Sequence, residues 1–380
     1  MNWSRSIRPT HARVCLDSVV ANAAILSARA DSPIYAVVKA DAYGHGAIRI
    51  AQALEQAESL RSCVHGFAVS LVEEGIELRE AGLRLPILVM GPSLVDAYDD
   101  IVEHRLTPLV SDPRHLEPLS AAASRQGLNL ALHLKFDTGM GRLGIQPSHL
   151  PDVLSTLSSL DHLLLAGIAS HLAGADIENP NQPDSLTATQ IDRFSSLLQR
   201  VRGQLREPIV GHIANSAGIL RWEAARGDLA RPGLALYGSG GTAADRLQQA
   251  ISLVSEVTQI RHAEVGDSVS YGAQWTASRP STLAIVPIGY ADGLPRNMTG
   301  KGSALISGAR CPIVGTVSMD MIVVDVTDLP EPRIGDPVVL LGKQGDEEIR
   351  VAELARQCGI SEYEVSCGIS KRVPRYYHPT

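Results

Sequence analysis

The chain has 380 residues, of which 44% are hydrophobic and 20% charged, with a formal net charge of −7. That length exceeds what one core usually supports, so two folded domains are expected, and the negative balance argues against nucleic acid or an anionic membrane as partner. No stretch approaches eighteen apolar residues and no apolar segment follows Arg5, Arg8 and Arg13, so a cytoplasmic chain acting on a small molecule is the expectation.

The first chemically informative element is residues 34–39. Pro33-Ile34-Tyr35-Ala36-Val37-Val38 is short, apolar and bounded by turn formers, which reads as a buried parallel strand ending at Lys39. Gly44 and Gly46 then lead into a helical pattern from Ile48 to Ala57. A lone lysine at a strand end is most often a surface cap. Here, however, only five lysines (39, 135, 301, 343, 371) stand against 29 arginines, and amine nucleophilicity is what arginine cannot supply.

Further strand-like runs at 66–70, 86–90, 106–110, 129–136, 163–170, 209–214 and 229–236 alternate with helical patterns such as 71–81, 112–126 and 187–203. Eight such units predict an α/β fold, a (β/α)8 TIM-type barrel over residues 1–240 with its site at the C-terminal strand ends. Past Gly238-Ser239-Gly240-Gly241, short apolar runs at 250–258, 281–288, 303–306, 311–317, 321–326 and 337–342 predict an all-β domain over 241–380. Residues 1–11 are placed against that second domain. Five scattered cysteines without C-x-x-C spacing fit neither a disulfide framework nor a zinc site, and no metal is expected.

The predicted barrel rim is polar. His133, Lys135 and Asp137 alternate with Leu132, Leu134 and Phe136, and so share one face. Farther on come Ser170-His171, then His212-Ile213-Ala214-Asn215-Ser216, then Arg231-Pro232-Gly233. Singly, His171 and His212 read as satisfied core histidines and Arg231 as an ion-pair partner. Together, so many polar residues are costly to bury unless a charged ligand fills the space between them.

The segments AVVKADAYGHG, LKFDTGMGRLG, SHLAGAD, HIANSAG, ARPGLALYG, VSYGAQWTA, IGYADGLPR, GTVSMDM and RVPRYY occur in the order found in alanine racemases. The chain resembles that family of fold-type III, pyridoxal-phosphate-dependent isomerases over nearly its whole length. The resemblance implies that Lys39 anchors the cofactor covalently and is one catalytic base, and that Tyr271, supplied by the other subunit of a homodimer, is the second. Arg231 would meet the pyridine nitrogen and Arg142 the phenolic oxygen. Tyr43, Ser216 and the N–H groups of Gly233 and Leu234 would hold the phosphate, with His171, Asn215 and Tyr237 completing the cofactor shell. Met319 and Asp320 from the partner would face the substrate carboxylate, as would Arg142. Such an enzyme supplies D-alanine for the cell wall or degrades it.

The residue types suit these roles. Racemisation takes a proton from one face and returns one to the other, so two bases must flank the α-carbon. A free tyrosine titrates near pH ~10 and a lysine near ~10.4, and neighbouring cations such as His171 and Arg231 are expected to favour the phenolate. Lys135, seven residues before Arg142, either pairs with Asp137 or, as in the family, is carbamylated. In the access corridor Asp176, Tyr290 and Arg296 match the family. Lys371 replaces its tyrosine and Thr316 its arginine, which predicts a wider path and a possible breadth extending from alanine to serine. A barrel-type decarboxylase would need an acid where Arg231 stands, and a non-catalytic pyridoxal-phosphate carrier would lack Tyr271, Met319 and Asp320.

Overall fold

The structure, a computed structural model, describes residues 7–92, 95–240 and 246–378. Residues 1–6 and 241–245, on which parts of the expected N-terminal segment and domain junction fall, lie outside them. The chain divides into two units, one of residues 19–42 and 47–247, the other of residues up to Ser18, 43–46 and 248 onward. Toward the C-terminal half the division falls between Leu247 and Gln248.

In chain order the strands begin with β1 (His11–Cys15), which belongs to the second unit. In the first unit the short apolar runs form β2 (Ile34–Val37), β3 (Val64–Val69), β4 (Ile87–Val89), β5 (Thr107–Val110), β6 (Leu130–Lys135), β7 (Leu163–Ala169) and β8 (Val210–His212). They pair in parallel in that order. The helices between them include Ala47–Gln56, Val72–Glu80, Leu116–Arg125 and Leu186–Gln204. All four residues of β2 are buried, as a strand covered on both faces requires.

The expected eighth strand at 229–236 does not form as a strand. Ala230 makes one parallel bridge to Ile34, reinforced by Tyr35 N–H to Ala230 O at 2.8 Å and Arg231 N–H to Ala214 O at 2.9 Å. Pro232 has no N–H to continue the ladder, and residues Leu234–Tyr237 wind into a 3-10 turn. The bridge still closes the sheet on itself, which gives the barrel.

In the second unit β1 pairs antiparallel with Ile251–Glu256 and parallel with Arg375–His378, so the two chain ends share one sheet. Antiparallel strands Gln259–Ala263, Ser281–Val286, Ser303–Ile306, Ala309–Val314, Ile322–Asp325 and Pro337–Gln344 complete that sheet's main path. This unit also carries helices Val351–Cys358 and Glu362–Cys367, an addition to the all-β pattern. Among the described residues no helix is long and apolar enough to cross a membrane.

Candidate active site

The strand expected to end at Lys39 stops two residues short of it. β2 stops at Val37, and Lys39 opens a six-residue helical turn, Lys39–Gly44. Ala40, Asp41, Ala42 and Tyr43 all have φ between 52° and 53°, a left-handed turn. For L-residues that hand costs roughly 1–2 kcal/mol each, so the surroundings must hold it. Glu74 does so from the helix Val72–Glu80: its Oε1 accepts the Ala40 N–H at 2.6 Å, while Oε2 accepts those of Ser70 and Leu71 at 2.7 and 3.0 Å. Asp41 Oδ1 accepts the Ala47 N–H at 2.7 Å, and the Tyr237 hydroxyl donates to Val37 O at 2.9 Å. Glu74 carried no signal in the sequence, because an acid in the first turn of a helix is ordinary.

A cavity of about 180 Å³ opens at this end of the barrel, lined among others by Lys39, Ser70, Lys135, Arg142, His171 and Arg231. Four of these are cations by type, and among the described residues no carboxylate lines the space. The crowding shifts the protonation of the basic groups there. Burial, then Arg231 and Arg142, lower the Lys135 amine to about 8. Burial and the same cations lower His171 to about 3, so it is neutral at pH 7. The expectation that His171 lends positive charge therefore fails, because an imidazole among guanidiniums and amines sheds its proton first. The alternative Lys135–Asp137 pair does not form either. The Asp137 carboxylate accepts the N–H groups of Gly139, Met140 and Gly141, and Lys135 has no ion pair among the described residues.

Arg231 is 4% exposed and its donors are almost fully committed. Nη1 donates to His212 Nδ1 and, at 2.8 Å, to His212 O; Nη2 donates to Ser170 O at 2.6 Å and Ile213 O at 3.5 Å. Of its five N–H groups only Nε–H makes no hydrogen bond among the described residues, and the side chain lines the cavity. Because His212 Nδ1 accepts from Arg231, its Nε2 carries the hydrogen and donates to His133 Nδ1 at 2.7 Å. The two imidazoles thus form a neutral chain behind the guanidinium. Burial, with Arg231 beside it, holds His212 well below the usual histidine range, and burial lowers His133 to about 3.

These three histidines imply acid lability. Between pH 6.5 and about 3 the unfolded chain takes up protons that the folded one refuses, so stability is lost as pH falls through 6.5. The loss is about 1.4 kcal/mol per pH unit for each fully titrating histidine. Urea midpoints should therefore drop steeply between pH 6.5 and 5; equal midpoints at pH 7 and 5 would contradict the neutral assignment.

Residues 14–240 match the family described as alanine racemase, N-terminal domain, and residues 250–377 that described as alanine racemase, C-terminal domain. The chain belongs to the alanine racemase family. It is 42% identical to the alanine racemase of Sorangium cellulosum, covering 98% of this chain and 99% of that one, and 38% identical to that of Symbiobacterium thermophilum, covering 98% and 97%. Among solved structures, alanine racemase from the D-cycloserine producer Streptomyces lavendulae superposes with a TM-score of 0.90 at 32% identity, covering 99% and 98%. The Bartonella henselae alanine racemase, solved with covalently bound pyridoxal phosphate, superposes at 0.84 with 30% identity, covering 97% and 99%.

Alanine racemases depend on pyridoxal phosphate, and the residues here fit that group: a cation-lined cavity without carboxylates, a lysine amine on its wall and one uncommitted guanidinium donor. The phosphate would be held where Ser216 Oγ accepts the N–H groups of Gly233 and Ala235 at 2.9 and 3.1 Å. Asn215 caps the short helix Ser216–Arg221, its Oδ1 accepting the Gly218 N–H at 2.9 Å. Tyr43 is buried in the Lys39 turn, whereas Arg142 and Asp176 are exposed.

The remaining family positions belong to the second unit. Tyr271 is 73% exposed on the turn Tyr271–Ala273, and Met319, Asp320, Tyr290, Arg296 and Lys371 are also exposed. Asp320 pairs with Arg372 at 2.7 Å, and Arg372 in turn approaches the fully buried Asp292 at 3.5 Å. Tyr290 and Ala291 N–H groups hold Ser318 O and Met319 O at 3.0 and 3.1 Å, which fixes the loop bearing Met319 and Asp320. Thr316, by contrast, is buried, 5% exposed.

Proposed function

We propose that the protein interconverts L-alanine and D-alanine with pyridoxal phosphate by a two-base mechanism. The single observation that carries this is the cation-lined cavity with the Lys39 amine fixed at its wall by a left-handed turn. Bound there, pyridoxal phosphate supplies the electron sink that makes the α-proton of an amino acid removable. Lys39 holds the cofactor and exchanges a proton on one face; Tyr271 of a second copy exchanges one on the other. The high exposure of Tyr271 and Met319 supports a homodimer in which each copy completes the other's site. Arg231 would hold the pyridine nitrogen through Nε–H, the one N–H that makes no hydrogen bond among the described residues. Burial lowers its pKa to about 10, still well above neutrality, so it stays a donor that keeps its proton, which weakens the sink and disfavours decarboxylation and transamination. Arg142 would contact the cofactor oxygen and the substrate carboxylate, and Met319 and Asp320 of the second copy would face that carboxylate. The reaction runs in the cytoplasm.

Lys135 in this reading carries a carbamate. An amine lowered to about 8 is partly unprotonated at neutral pH and therefore nucleophilic toward carbon dioxide, and the resulting anion relieves the cationic crowding beside Arg142. Native mass measurement should show the added carbon dioxide. In heavy water the purified protein should show visible absorbance abolished by borohydride, and should exchange the α-proton of L-alanine while forming D-alanine. Release of carbon dioxide from substrate would indicate a decarboxylase instead, and exchange without D-alanine would leave only a carrier.

A further inference from the structure

Two hydrogen bonds clamp the backbone on either side of Tyr271. The Ser270 hydroxyl donates to Thr316 O at 2.7 Å, and the Thr316 hydroxyl donates to Tyr271 O at 2.7 Å. Each residue thus uses its side chain on the other segment's main chain, and the buried Thr316 hydroxyl is spent on that carbonyl alone among the described residues.

The turn held this way is strained. Ser270 has φ 64° and ψ −175°, a region open in practice only to glycine, and Ala273 follows at φ 44°. Glycine at 270 would remove that strain. What glycine cannot supply is the hydroxyl, and the hydroxyl is what reaches Thr316. The approach is itself arranged by Gly315 at φ 67°, where a Cβ would meet Ser270 Cβ and Val269 O, both at 2.8 Å. Apart from the clamp, the turn has a weak internal bond, Ala273 N–H to Ser270 O at 3.3 Å, above the two-residue ladder Ser268–Val269 with Trp275–Thr276.

We infer that Thr316 and Ser270 are positioning residues that fix the backbone of Tyr271 for proton transfer. This rests on the reading of Tyr271 as the second base. Neither residue touches the reacting atoms; they act through the tyrosine. The departure from the family pattern at Thr316 then exchanges a long cation for a short buried donor that tethers the base.

The test uses Thr316→Val, which removes the hydroxyl while keeping the shape, Thr316→Ser, which restores it, and Ser270→Ala and Ser270→Gly, compared in the holoenzyme. Loss of one orienting hydrogen bond should lower kcat about tenfold with KM changed less than about twofold. Thr316→Ser should recover most of that loss. Ser270→Gly should melt at or above Ser270→Ala although both are slower, so that activity and stability part company, which a merely structural role would not produce. Because enantiomers are equal in free energy, kcat/KM must stay equal in the two directions in every variant. The α-deuterium isotope effect is not so bound, and in Thr316→Val it should rise for one enantiomer only. Unchanged kcat and isotope effects in Thr316→Val and Ser270→Gly, or isotope effects that rise equally for both enantiomers, would overturn the clamp. Tyr271→Phe separates the two readings: wild-type turnover there removes Tyr271 as a base, whereas a dead Tyr271→Phe beside an unaltered Thr316→Val removes the clamp alone.

Discussion

Lys39→Ala should lower racemisation by at least about a thousandfold while leaving the melting temperature of the protein within a few degrees of the parent. A general base contributes about 10²–10⁴ in rate, and Lys39 is assigned the covalent hold on the cofactor as well. The structural cost is small for a specific reason. The left-handed turn after Lys39 is held by the Glu74 and Asp41 carboxylates on backbone N–H groups, and Lys39 itself has no positive φ. Alanine therefore leaves the turn in place and deletes only the amine. Lys39→Arg sharpens the result: it keeps a cation on the cavity wall but offers no amine nucleophile, and should be as inactive as alanine. Turnover by coupled assay and the borohydride-sensitive absorbance check both variants. A Lys39→Arg protein retaining a tenth of parental turnover would show that charge at this position, rather than nucleophilicity, is what matters.

How much of this site could be read from residues alone depended on how local each signal was. Seven barrel strands were legible because short apolar runs bounded by turn formers are short-range patterns. The eighth was over-read because 229–236 is apolar enough for a strand, while the proline within it removes the donor that a ladder needs. That His133 and Lys135 face one way followed from alternation, yet the partner of His133 is His212, 79 residues on, and only the closed barrel brings them together. The left-handed turn at 40–43 was not legible. No glycine occurs in Ala40-Asp41-Ala42-Tyr43, and the carboxylate that holds the turn belongs to Glu74. The charge of His171 was misjudged for a related reason: its neutrality comes first from burial and then from the cations gathered around one cavity, neither of which strand-end motifs taken one at a time reveal. Thr316 could be recognised as a departure, whereas its target, the Tyr271 carbonyl, could not.

Arg231→Met should destabilise the fold by about 3–5 kcal/mol, since removing one member of a buried polar network strands the others. The carbonyls of Ser170, His212 and Ile213 and the Nδ1 of His212 each lose a donor in a region that water does not reach. The gain from no longer burying a cation offsets only part of this. His212 is then free to take its hydrogen on either nitrogen, so the bond to His133 loses its fixed direction. The same change acts across the cavity. Arg231 is the charge that contributes most to lowering Lys135 and His171, so without it both regain basicity, and an amine that keeps its proton no longer reacts with carbon dioxide. Urea midpoints at pH 7.5 together with native mass measure both consequences, a lower midpoint and a lost carbamate. Arg231→Lys tests whether charge alone suffices. It retains the cation but replaces a planar fork by a single ammonium that cannot reach three carbonyls and an imidazole at once, so most of the stability should still be lost. If Arg231→Lys instead matches the parent, the guanidinium geometry is not what holds His212, and the imidazole chain behind it has no role in setting the donor that faces the cavity.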